Sequence, residues 1–150
     1  MNYISIKGGK KSQQDKITSM VEFCIKKLMP RMNSLNIDIK VTSITGDAEG
    51  YCLRESNRDF EIEVDSSLTL RKMLETVAHE MVHVKQYARR EMNDWAYQQE
   101  KYYKWKDRFV PANTDYWDLP WEIEANGREV GLFIRWAEKE GYAKHKWTKI

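Results

Sequence analysis

The sequence predicts an α+β fold, and three observations predict it. A segment of helical period opens the chain, short runs of alternating apolar and polar residues follow, and the helical period then returns and holds to near the end. Segregated blocks of helix, strand and helix belong to the α+β class, whereas a regular strand-helix alternation would indicate a parallel α/β sheet.

Each element has its own signal. Ser12 with Asp15 three residues on resembles a capping box, and Ile17, Met20, Val21, Cys24 and Leu28 recur at helical spacing until Pro30, which predicts a first helix. Ile37, Ile39 and Val41 alternate with Asp38, Lys40 and Thr42; Tyr51 to Leu53 follow a Gly46-Asp47 turn signal; Phe60, Ile62 and Val64 alternate with Glu61, Glu63 and Asp65. These are expected to be three strands of one small antiparallel sheet, with Ile4 and Ile6 a candidate fourth. Ser66 and Ser67 then offer N-cap oxygens, and Leu70, Leu74, Val77, Met81 and Val84 step by four, three, four and three residues, so a helix is expected to about Tyr87. Met92, Trp95, Tyr102, Trp105 and Phe109 suggest another helix. A last one runs from Pro120, a residue favoured in the first turn, to Glu140 before Gly141.

With 150 residues, 41% hydrophobic and 32% charged, the chain is expected to form one domain over 1–150 with a real core. The net charge of +2 is too small for the footprint of a dedicated nucleic-acid binder. No apolar run approaches the roughly 20 residues that span a bilayer, and Met1 to Lys11 lack a signal peptide's apolar stretch. The expectation is a cytoplasmic monomer without a membrane partner. Cys24 and Cys52 form no C-x-x-C pair, which leaves neither a disulfide framework nor a cysteine zinc ribbon, and buried free thiols are the simpler reading.

The residues that carry chemistry lie on the helix expected after Ser67, where His79-Glu80-Met81-Val82-His83 spells H-E-x-x-H. Residues four apart share a helix face, so His79 and His83 can offer two imidazole nitrogens to one ion while Glu80 reaches a water beside it. Zinc, Zn²⁺, suits this set best. At about 100° per residue both histidines fall roughly opposite the apolar stripe, so they are not ordinary core residues of this helix. A catalytic zinc site normally has three protein ligands. His145, the only other histidine, lies in a Lys-rich tail, and Arg89 occupies the sixth position after His83, which excludes the extended metzincin signature.

Leu119-Pro120-Trp121-Glu122-Ile123-Glu124-Ala125-Asn126 is the better source of a third ligand. Taken with His79-Glu80-x-x-His83, this Glu-x-x-Ala-Asn segment resembles the gluzincin metallopeptidases, whose pattern has Glu, a small residue at plus three and usually Asp at plus four. The chain is similar to the small single-domain members of that group, including short phage and bacterial proteins with a Pro-Trp-Glu-x-Glu-Ala segment; the resemblance covers about Phe60 to Ala137.

The resemblance implies a minimal zincin-like domain, with Glu122 as the third zinc ligand beside His79 and His83, and Glu80 as the general base of peptide-bond hydrolysis. It implies that Ala125 lets two helices approach closely and that residue 126 orients a ligand histidine, a role in which Asn126 brings no charge. Glu124 points about 200° away from Glu122 and is not expected to bind the same ion. By the same analogy, a peptide or protein substrate would lie along Phe60 to Asp65 as the edge strand. Tyr116, Tyr142, His145 and Arg128 all carry donors suited to an oxyanion, and no spacing rule chooses among them.

Two other classes compete. Lys101 to Phe109 interleave basic and aromatic residues as single-strand binding surfaces do, and SprT-like proteases join similar metal chemistry to DNA, but on one helix Trp95, Tyr102, Trp105 and Phe109 would form a core face. A catalytically silent zinc-helix binding protein is the third class.

Overall fold

The computed structural model describes residues 1–97 and 101–149, and of 94–97 the backbone alone. In chain order the elements are β1 (Tyr3–Lys7), α1 (Lys11–Leu28), β2 (Asn36–Thr42), β3 (Gly50–Arg54), β4 (Asp59–Asp65), α2 (Leu70–Ala88), β5 (Met92–Tyr97), β6 (Tyr102–Trp105), β7 (Arg108–Pro111) and α3 (Pro120–Glu140), with 3₁₀ turns at Tyr116–Asp118 and Lys146–Thr148. The α+β class stands, with three α-helices and two small sheets among the described residues.

The first sheet has the order β1-β2-β4-β3 and is mixed, not antiparallel. β1 and β4 both run parallel to β2, and only β3 is antiparallel to its neighbour β4. Alternation reveals which face of a strand is buried but is silent on its direction. α1, placed between β1 and β2, supplies the crossover that a parallel pair requires. Ile37, Ile39 and Val41 of β2 and Phe60, Ile62 and Val64 of β4 share the buried face with α1 and α2. β4 is an interior strand, so Phe60 to Asp65 is not the edge strand expected; its neighbour β3 is.

The helix expected over Met92 to Phe109 is a three-stranded antiparallel sheet, β5-β6-β7. Its spacing imitates a helix face, but Tyr102-Tyr103-Lys104-Trp105 is rich in aromatics that favour a pleated surface, and Lys106-Asp107 is a two-residue turn closing Trp105 onto Arg108. Trp105 of β6 is buried against Trp121 in a second small core with Met92 and Val110, whereas on β7 Phe109, next to buried Val110, is 53% exposed. The side chain of Trp95 lies outside the described residues.

Two helix starts also differ. α1 is capped at Lys10, whose backbone N–H donates to Gln13 Oε1 at 2.8 Å, and Thr69, not Ser66 or Ser67, caps α2 by accepting from the Lys72 N–H. α3 ends at Gly141, whose φ of 82° is the left-handed conformation that closes helices. α2 is buried on several sides because α1, the sheet and α3 all pack on it, and Ala125 of α3 is fully buried at that contact. Cys24 is a buried free thiol, whereas Cys52 is only half-buried. Among the described residues no helix is long and apolar enough to cross a membrane.

Candidate metal centre

His79 and His83 project from one face of α2 toward the first turn of α3, where Pro120 starts the helix and sets Glu122. Glu122 Oε1 stands 3.1 Å from His79 Nε2, and Glu122 Oε2 stands 3.2 Å from His83 Nε2. One ligand atom from each of the three residues falls within 4.8 Å of the others. Tetrahedral zinc with bonds of about 2.0–2.1 Å separates its ligand atoms by about 3.3 Å, so the donor types and their spacing suit that ion. The group could hold a metal ion.

The remaining ring nitrogens have partners that the sequence did not reveal. Gln86, fully buried, donates from Nε2 to the Trp121 carbonyl and to Glu124 Oε1, both at 2.9 Å. Both partners are acceptors, so Gln86 Oε1 faces His83 Nδ1 at 2.8 Å as an acceptor. That places the His83 proton on Nδ1 and turns Nε2 toward Glu122. Glu129, at 3.7 Å from His79 Nδ1, serves His79 in the same sense. The residue expected in this role, Asn126, faces elsewhere: its Nδ2 donates to the Glu122 carbonyl at 2.9 Å and lies 3.3 Å from the Tyr116 hydroxyl. Glu129 is seven residues past Glu122, two turns along the same face of α3, a position that only the packing of α3 against α2 brings to His79.

Glu124 points away from the cluster and binds Lys85 at 2.7 Å, Gln86 and Arg128. Of the four oxyanion candidates only Tyr116 enters the site, where its hydroxyl donates to Glu122 Oε1 at 2.9 Å. Arg128 pairs with Glu124, and Tyr142 and His145 meet edge to face near the C-terminus.

The electrostatics follow from these contacts. Burial opposes the His79 imidazolium, but the hydrogen bond to Glu122, the Glu129 carboxylate beside it and the charge of Glu80 outweigh it and raise its pKa to about 10. His83 is raised by the same balance of burial against Glu122 and Glu80. Glu122 moves the other way: burial would raise it, yet its hydrogen bonds to both histidines hold it far below the carboxylate range. Glu80 is 5% exposed, and its burial outweighs the nearby histidines to raise its pKa. Burial and the Glu122 charge lift the Tyr116 hydroxyl to about 12, so it remains a donor at neutral pH.

These residues line a cleft of about 660 Å³ whose opposite wall is Ala48 to Cys52, at the start of β3. Gly50 permits this approach. A Cβ there would lie 2.7 Å from Thr76 Cγ2 and 2.9 Å from the Glu63 carbonyl oxygen, and 3.5 Å from Glu80 Oε1. No known protein family, curated protein or solved structure matches the chain.

Proposed function

We propose that the protein is a zinc-dependent peptide hydrolase built on a minimal zincin-like domain, resembling the small gluzincins. The observation that carries this reading is the convergence of His79, His83 and Glu122, with ligand atoms within 4.8 Å, in an open cleft beside a buried carboxylate. A zinc ion held there would supply a Lewis acid for the peptide carbonyl and acidify a bound water.

The chain's own groups have complementary tasks. Glu80, whose pKa burial raises, accepts a proton from water and returns it to the leaving amine. Tyr116, protonated at neutral pH, donates to the oxygen that gains charge as the carbonyl is attacked. Gln86 and Glu129 keep the ring protons on Nδ1, so that both Nε2 atoms face the ion. The exposed edge of β3 holds an extended peptide by backbone hydrogen bonds, aligned over the cleft.

Glu80→Gln tests the reading. The variant is nearly isosteric but lacks the carboxylate base, so it is expected to keep zinc and fold while peptide hydrolysis falls on the order of 10²–10⁴-fold. Hydrolysis at the wild-type rate by this variant would refute Glu80 as the base.

A further inference from the structure

A second cleft, of about 350 Å³, adjoins the first across Tyr87, which lines both. Its walls carry four cations, Arg54, Arg90, Lys104 and Lys106, and the one described carboxylate among them, Glu91, is engaged by Lys85 at 2.8 Å and Arg89 at 3.6 Å.

Two of these cations stand where a side chain is strained. Arg90 (φ 58°) and Lys106 (φ 52°) are the only non-glycine residues with positive φ among those described. Arg90 follows the C-cap of α2, with its N–H bonded to the Tyr87 carbonyl and the Glu91 N–H bonded to the Gln86 carbonyl. This is a Schellman closure, whose left-handed position is ordinarily glycine. Lys106 opens the β6–β7 turn, and its N–H donates to the Glu91 carbonyl, clamping that turn onto the end of α2. Glycine would relax both positions, and both carry long cations into one cleft. Strain retained at two converging positions points to a use for the side chains.

β3 connects the two clefts. Gly50 stands beside Glu80, and the Arg54 guanidinium lies 4.9 Å from the Tyr87 ring, four residue steps or roughly 13 Å along the strand. A peptide added antiparallel to β3 runs with its N-terminal side toward Arg54. We infer that the peptides this protein cuts carry an acidic side chain about two to four residues N-terminal to the scissile bond, held in the basic cleft by Arg90, Lys106 and Lys104. This rests on the hydrolase reading above.

The test uses zinc-loaded Glu80→Gln protein and fluorescein-labelled decapeptides of Ala and Leu carrying one Glu at successive positions, each matched by its Gln counterpart. Anisotropy at low salt is expected to show about ten-fold tighter binding of the best Glu peptide than of its Gln partner, with the difference shrinking as salt rises. Arg90→Gly with Lys106→Gly, which relaxes the backbone and should fold at least as well, is expected to remove the difference, and Arg90→Lys with Lys106→Arg to retain it. Equal binding of all Glu and Gln pairs overturns the inference, even if wild type cleaves both. Discrimination in binding with no cleavage by wild type refutes the hydrolase reading and leaves the acidic-ligand cleft standing. Tighter binding of an oligothymidylate than of any Glu peptide, lost in the glycine variant, overturns the inference in favour of single-stranded nucleic acid.

Discussion

The middle of α2 and its C-terminal end are both charged, and they are built in opposite ways. In the middle, the side chains of His79, His83 and Glu122 are 12%, 12% and 14% exposed, and each polar atom faces a partner. At the end, Arg90, Lys104 and Lys106 stand exposed, and the cost at Arg90 and Lys106 is backbone strain rather than desolvation. The contrast shows that burial sets the leverage of a charge: removing one from the middle disrupts a coupled set, whereas removing one from the end alters only what approaches it.

The largest effect should come from Glu122→Ala, which removes a ligand and leaves two buried histidines without their carboxylate. Zinc affinity is expected to fall by more than the ~10²-fold typical of losing a supporting contact, as is also expected for His79→Ala and His83→Ala; isothermal titration with zinc reads this directly. Glu124→Ala sharpens the comparison. It is expected to keep zinc but lose about 1–3 kcal/mol of stability, because buried Lys85 loses one of its two carboxylates. Wild-type zinc affinity in Glu122→Ala would break the account.

Next in size is Glu129→Gln, which keeps an oxygen near His79 Nδ1 but removes its charge. About ten-fold weaker zinc binding is expected, at the mild end of what such supporting contacts contribute. If Asn126→Ala weakened zinc more than Glu129→Gln, the assignment of partners would be wrong.

The dependence on pH separates the two regions again. In metal-free protein the His79 pKa is raised to about 10, so its contribution to stability is complete below about 6.5 and is lost as pH rises through about 10. Glu122 is depressed, and its contribution is present above about 4.5 and lost as pH falls below that. Zinc must displace the imidazole protons, so its affinity should rise with pH, up to about ten-fold per unit for each proton released, and flatten above about 10. Titrations at several pH values that gave one constant affinity would contradict the coupled cluster. Smallest of all, Lys104→Ala is expected to change stability by less than about 0.5 kcal/mol and zinc affinity not at all.

The same burial explains what could be read in the sequence. Helix period, a local rule, places His79 and His83 on one face, Glu122 is reached through the resemblance of its Glu-x-x-Ala-Asn segment to the gluzincins, and the structure brings the three residues together. Gln86 and Glu129 obey no local rule, because their partners are set by how α3 lies on α2. The β5–β7 sheet was hidden by a coincidence of spacing, in which Tyr102, Trp105 and Phe109 step by three and four although alternate β6 residues face opposite ways. Strand direction was equally hidden, since parallel and antiparallel strands with one buried face share the same alternation.

The central claim is that one ion sits between α2 and α3, and anomalous diffraction from crystals grown with zinc measures it most directly. A single strong site is expected, with His79 Nε2, His83 Nε2 and a Glu122 oxygen at about 2.0–2.2 Å. Zinc bound without Glu122, or located at another group of residues, would contradict it.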